Sequence, residues 1–111
     1  MDSVPFRDVP WGRTKLLVGR DVDDPARANQ HVQVTVTENS AGPGGNHGLH
    51  THADQDEILV VLEGRGENVS GDGTVRPLKA GDVVYIPAGT PHEDRSVDGP
   101  VRFLVVKTPP D

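Results

Sequence analysis

The sequence predicts an all-β fold, a small antiparallel barrel or sandwich, and three observations point there. Thirteen glycines and ten prolines recur along the chain as turn punctuation, so hardly two turns of uninterrupted helical i, i+3, i+4 spacing survive anywhere. Between the breaks lie short runs rich in Val, Ile and Leu, which fit a pleated, half-buried surface. Their spacing suits a set of short strands closed into one small core.

Taken in order, the segment Val4–Val9, with Pro5 inside it and Pro10 after it, reads as an extended arm. It is expected either to pair with the edge strand of another subunit or to be disordered. Strands are expected at Lys15–Val18, His31–Thr37, Ile58–Leu62, a weak Val75–Leu78, Val83–Ile86 and Val101–Lys107. Turns fall at Glu63–Gly66, Ser70–Gly73, Lys79–Asp82 and Pro87–Gly89, where glycine supplies positive φ. The Gly-rich loop Asn39–Gly48 is long for a hairpin, and such loops tend to carry function. Residues 1–30 are read as an N-terminal arm with the first strand or strands and residues 31–111 as the barrel, one domain in all.

Size and charge narrow the function. A chain of 111 residues holds one core and no second catalytic domain. Folding should bury about 65% of its surface, a modest core that a partner subunit would help. The net charge of −6 and the lack of a basic patch argue against nucleic acid or an anionic membrane as partner. With no cysteine, disulfides, thiolate nucleophiles and Cys-held metals are excluded, so any metal must sit on imidazole and carboxylate. The N-terminus is acidic and Pro-interrupted, and the longest aliphatic run, Ile58–Leu62, is too short for a signal segment or a span. A cytoplasmic location is therefore expected.

The chemistry concentrates at His50-Thr51-His52. Residues i and i+2 of an extended segment share a face, so both imidazoles can reach one point. Glu57 follows across the polar turn 53–56, where a hairpin can fold its carboxylate back toward them. If Glu57 faces inward, alternation sends Leu59 and Val61 inward as an apolar floor that excludes water.

These residues resemble the cupin superfamily. Gly44, His50, His52, Glu57 and Gly64 match the first cupin motif, and Gly81, Pro87, Gly89 and His92 match the second at the usual spacings. Ser96 stands where the second motif usually has Asn, a position that does not ligate metal in the family. The sixteen-residue spacer between Gly64 and Gly81 is similar to that of small bacterial single-domain cupins. The resemblance covers about half the chain and implies a double-stranded β-helix, or jelly-roll, barrel. It also implies one divalent transition metal, Fe, Zn, Mn, Ni or Co, held by His50, His52, Glu57 and His92.

Other residues are candidates around that site. Glu57 doubles as a catalytic candidate. His47, in the Gly-rich loop, is a possible proton shuttle or an exposed loop histidine. Tyr85 is expected to pack against the barrel wall or to aim its hydroxyl at the site. Asp94, two residues after His92, is a possible partner fixing an imidazole, or a solvated charge. Arg102, if inward, would favour a carboxylate-bearing substrate. His31, Gln33 and Thr35 alternate with valines, and this polar face is read as the outer one. Trp11 and Phe6 read as packing for the N-terminal segment or a dimer surface.

The expected function is a metal-dependent enzyme acting on a small oxygenated molecule by Lewis-acid or metal-hydroxide chemistry: a cyclase, lyase, isomerase or decarboxylase. Secondary-metabolite tailoring is where the family resemblance places that chemistry. The first alternative is an Fe(II)-dependent dioxygenase, the second a non-catalytic binding module. The partner expectation is a small-molecule substrate, no nucleic acid, no membrane, and a homodimer from family habit and the small core.

Overall fold

The computed structural model describes residues 4–40 and 48–111. Nine strands appear among them, and every strand pair is antiparallel. They are β1 (Arg7–Val9), β2 (Gly12–Val18), β3 (Gln33–Asn39), β4 (Asp56–Glu63), β5 (Arg65–Ser70), β6 (Val75–Lys79), β7 (Val83–Ile86), β8 (His92–Ser96) and β9 (Val101–Thr108). One sheet has the order β1-β2-β3-β9-β4-β7 and the other β6-β5-β8, the two-sheet jelly-roll arrangement expected.

Strand parity sets the core. Glu57, Leu59 and Val61 of β4 are buried on one face while Ile58 and Leu62 are exposed on the other. On β9, Val101, Phe103 and Val105 are buried, and Val84 and Ile86 of β7 join them. Leu78 from the smaller sheet completes the cluster. Each side chain removed from water in this way contributes about 1.5–3 kcal/mol, so this inward set carries the apolar stability of the fold.

Three strands lie outside the sequence expectation. Strand β1 pairs with β2 of the same chain, Arg7 opposite Thr14 and Val9 opposite Gly12. The arm is thus an ordered strand paired with its own neighbour, because the turn at Pro10-Trp11 folds it back. Strands β5 and β8 read RGENVS and HEDRS, with almost no β-branched residues. They form because β5 is the centre of its sheet, laddered to β6 and β8 on its two sides. Such tertiary pairing overrides weak local preference.

Two facing assignments are corrected. Tyr85 is 59% exposed and Val83 61%, whereas Val84 and Ile86 are buried. The ladder with β4, Tyr85 opposite Ile58 and Glu57 opposite Ile86, turns Tyr85 to the outer face. It therefore neither packs in the wall nor addresses the site. On β3 the polar face is the inner one: Thr35, Thr37 and Asn39 line a cavity, while Val36 points away and is 2% exposed. His31 precedes the strand and is exposed.

Arg102 also faces outward. It donates to Glu38 Oε2 at 2.7 Å, and Arg13 donates to Glu38 Oε1 at 2.9 Å. The Phe6 ring lies 4.2 Å from the Arg13 guanidinium and 5.5 Å from that of Arg102. Phe6 thus covers this outer charged cluster through cation–π contacts.

Candidate metal centre

The site assembles from three separate segments. His50 lies outside the named strands but is held extended by a two-way bridge to His92, each backbone N–H donating to the other's carbonyl at 2.9 Å. Gly89 N–H donates to the His52 carbonyl at 2.9 Å, fixing the next residue but one. Glu57 opens the inward face of β4, and His92 opens β8.

These constraints bring three imidazoles together. Ring centroids are 4.3 Å apart for His50 and His92, 4.8 Å for His50 and His52, and 5.7 Å for His52 and His92. The carboxylate of Glu57 faces two of them, with Oε1 3.7 Å from His52 Nε2 and Oε2 3.0 Å from His92 Nε2. One nitrogen from each of His50, His52 and His92 lies within 4.8 Å of the others, and Glu57, His92 and Asp94 form a second such group.

Backbone carbonyls decide the tautomers. His92 Nδ1 donates to Thr90 O at 3.1 Å and His50 Nδ1 to Gly48 O at 2.8 Å. A neutral ring that donates through Nδ1 carries its lone pair on Nε2. His92 Nε2 and Glu57 Oε2 are both fully buried, and neither makes a hydrogen bond to any described residue. Two buried lone pairs 3.0 Å apart repel unless a cation or a proton lies between them. The donor set fits a divalent metal, with the second ring nitrogens oriented from outside as in known histidine sites.

Titration agrees with that geometry. Burial pushes Glu57 up, but the His92 imidazole facing it at 3.0 Å and the Lys107 ammonium outweigh that, so Glu57 stays below the usual carboxylate range. Burial likewise lowers His92, yet Glu57, the Thr90 carbonyl and Asp94 together raise it above its ordinary value. The pocket thus favours positive charge at His92 Nε2. Burial and then the Lys107 ammonium lower His52, keeping it neutral and able to ligate.

Asp94 is 8% exposed, with its Oδ2 3.7 Å from His92 Nε2 and its Oδ1 accepting from Asn68 Nδ2 at 2.8 Å. Burial pushes its carboxyl above the usual range. The solvated reading is overturned: Asp94 is buried beside His92 on its Nε2 side, while the Thr90 carbonyl holds Nδ1. A cavity of about 70 Å³ adjoins these groups, its wall including Trp11, Leu59, Phe103 and Lys107. It shares Trp11, Thr35, Thr37 and Lys107 with an outer vestibule of about 400 Å³. His47 and Gly44 lie outside the described residues.

Lys107 and Trp11 were missed as site residues. Strand parity with Phe103 was the signal for Lys107. Trp11 carried none, because its place depends on the fold-back of β1.

Residues 40–107 match the Cupin domain family. The chain belongs to the cupins. This cupin is 45% identical over 65 residues to a quercetin 2,3-dioxygenase of Bacillus subtilis, covering 59% of this chain and 19% of that protein. Its fold superposes on the structure of KdgF from Halomonas sp. with a TM-score of 0.82 at 19% identity, covering 99% and 90% of the two chains. The DMSP lyase DddQ of Ruegeria pomeroyi gives a TM-score of 0.76 at 25% identity, covering 96% of this chain and 57% of that one. The aligned region is less than two thirds of each of the first curated relatives it matches, 63%, 53% and 19% of their lengths. Cupin relatives therefore include enzymes of different reaction types. No helix among the described residues is long and apolar enough to cross a membrane.

Proposed function

We propose that this cupin is a metal-dependent enzyme acting on a small oxygenated molecule. His50, His52, Glu57 and His92 hold one divalent ion of the Fe, Zn, Mn, Ni or Co group. The observation that carries the proposal is the buried pair of His92 Nε2 and Glu57 Oε2, aimed at one another at 3.0 Å with no hydrogen-bond partner. Three imidazoles and one carboxylate suit these borderline metals better than Mg or Ca, which prefer oxygen. When bound, such an ion supplies Lewis acidity toward a carbonyl or a water.

The chain's own residues do the rest. The carbonyls of Gly48 and Thr90 hold two imidazoles in the ligating tautomer. Leu59, Phe103 and Val105 form the apolar side of the cavity and keep water from the reacting groups. Asp94, steadied by Asn68, places a second carboxyl group in the wall. The cavity volume of about 70 Å³ admits only a few heavy atoms, so the reacting part of the substrate is small.

A redox-neutral lyase, cyclase, isomerase or decarboxylase reaction is our first reading, supported by the likeness to the DMSP lyase. The 45% identity to a quercetin 2,3-dioxygenase favours a second, an iron-dependent dioxygenase. Elemental mass spectrometry on untagged wild type and His52→Ala tests the common part. We expect near-stoichiometric metal in the first and its loss in the second; full occupancy in His52→Ala would refute the ligand assignment. Iron with substrate-dependent oxygen uptake selects the dioxygenase, and turnover without oxygen selects the redox-neutral reaction.

A further inference from the structure

Lys107 stands opposite Glu57 in the β4–β9 ladder and opposite Gln33 in the β3–β9 ladder. Its side chain is only 17% exposed and lines both the inner cavity and the vestibule. A largely buried ammonium needs an acidic partner. Glu57 is directed at His52 and His92, at 3.7 and 3.0 Å. The carboxylate that Lys107 reaches is that of Asp111, with Nζ 3.4 Å from Oδ2.

Two glutamines grip the same carboxylate. Gln33 Nε2 donates to Oδ2 at 3.0 Å and Gln55 Nε2 donates to Oδ1 at 2.7 Å. Gln33 also accepts from the Asp111 backbone N–H at 3.1 Å, and Gln55 donates to the Pro109 carbonyl at 2.9 Å. Both carboxylate oxygens are thus met by donors from three separate segments, and Gln33, Lys107 and Asp111 line the vestibule that opens onto the inner cavity. The Asp111 side chain itself is 59% exposed. Contacts of an exposed carboxylate are weak, so another carboxylate can displace it. A local cation matters here because the chain's charge of −6 repels an incoming anion.

We propose that Gln33, Gln55 and Lys107 form a carboxylate subsite at the cavity mouth, which the substrate's carboxylate takes over from Asp111. Asp111 is then an intramolecular competitor that keeps the subsite satisfied between substrates. The proposal rests on the cavity being the active site and narrows its substrate to a small carboxylic acid.

The test uses propionate as probe and propionamide as its neutral counterpart, followed by amide shifts in ¹⁵N-labelled, zinc-loaded protein and again after chelation. Asp111→Ala is expected to bind propionate several-fold more tightly than wild type. Lys107→Met is expected to bind it about tenfold more weakly, and Lys107→Arg to restore it, since a charge-assisted contact is lost and regained. Propionamide should respond to none of these. Unchanged propionate affinity in either Asp111→Ala or Lys107→Met, with both variants giving dispersed spectra, overturns the subsite. If zinc loads but the ranking is flat, the subsite fails and the metal reading stands. If the ranking holds in protein that loads no metal, the subsite stands and the metal reading fails.

Discussion

Replacing Gly64 by alanine should destabilise this cupin far more than the same change at Gly81, although both glycines have positive φ. Gly64 joins β4 to β5 at φ 81°, and Gly81 precedes β7 at φ 94°. An alanine in that region costs about 1–2 kcal/mol at either place. At Gly81 a Cβ would meet nothing within 4 Å, whereas at Gly64 it would lie 2.3 Å from the Pro100 carbonyl oxygen and 3.1 Å from Val101 Cα. Both atoms are backbone, so the turn into β9 must move, an overpacking cost of about 1–3 kcal/mol more. Unfolding entropy of about 2.1 cal/mol/K per residue makes each kcal/mol worth about 4 °C in a chain this size. We expect a fall in Tm of about 4–9 °C for Gly81→Ala and a further 4–13 °C for Gly64→Ala. Calorimetry of both variants, with metal content measured alongside, decides the matter. Equal Tm values would refute the steric reasoning, and loss of metal in Gly81→Ala would show that its glycine does more than turn the chain.

Removing the metal by chelation should lower Tm by about 12 °C if the ion is at a hundredfold its Kd, since such binding contributes about 2.7 kcal/mol; the same treatment should leave His52→Ala unchanged. Hydrogen bonding to Arg13, with Arg102 adding to it, holds Glu38 below the usual carboxylate range despite some burial. Its ionised form is therefore favoured by folding, and that stability is present above about pH 4.3 and lost as pH falls through the depressed folded value. Chemical denaturation of Glu38→Gln against wild type should show a difference that shrinks across that acid window; a difference constant with pH would contradict it. Tyr85→Phe, on the outer face, should leave metal content and turnover within experimental error of wild type, and a large loss of turnover would return Tyr85 to the site.

Much of the fold was legible because β-branched and aliphatic runs bounded by turns are a local signal. Strands β4, β7 and β9 stand where the unbroken runs of Val, Ile and Leu lie, and it is their burial, not their composition, that alternates. Strands β5 and β8 were illegible for the converse reason. Their residues are polar, and only the neighbouring ladders make them strands. His92 was legible only through the motif resemblance, and Asp94 only by its parity with His92, because nothing local to HEDRS says that alternate residues face a buried pocket.

By itself the sequence determined an all-β chain without cysteine, a pair of imidazoles able to share one face, and a carboxylate placed to fold back on them. Those conclusions need only residue chemistry and spacing, which act over a few residues. Tertiary structure decided which face of each strand is inside, and with it the fate of the charged residues. Arg102 and Lys107 lie five apart on β9, so opposite parity sends the first out to Glu38 and the second in toward Glu57. Which parity is inward depends on the sheet that packs across it, and that partner is distant in sequence.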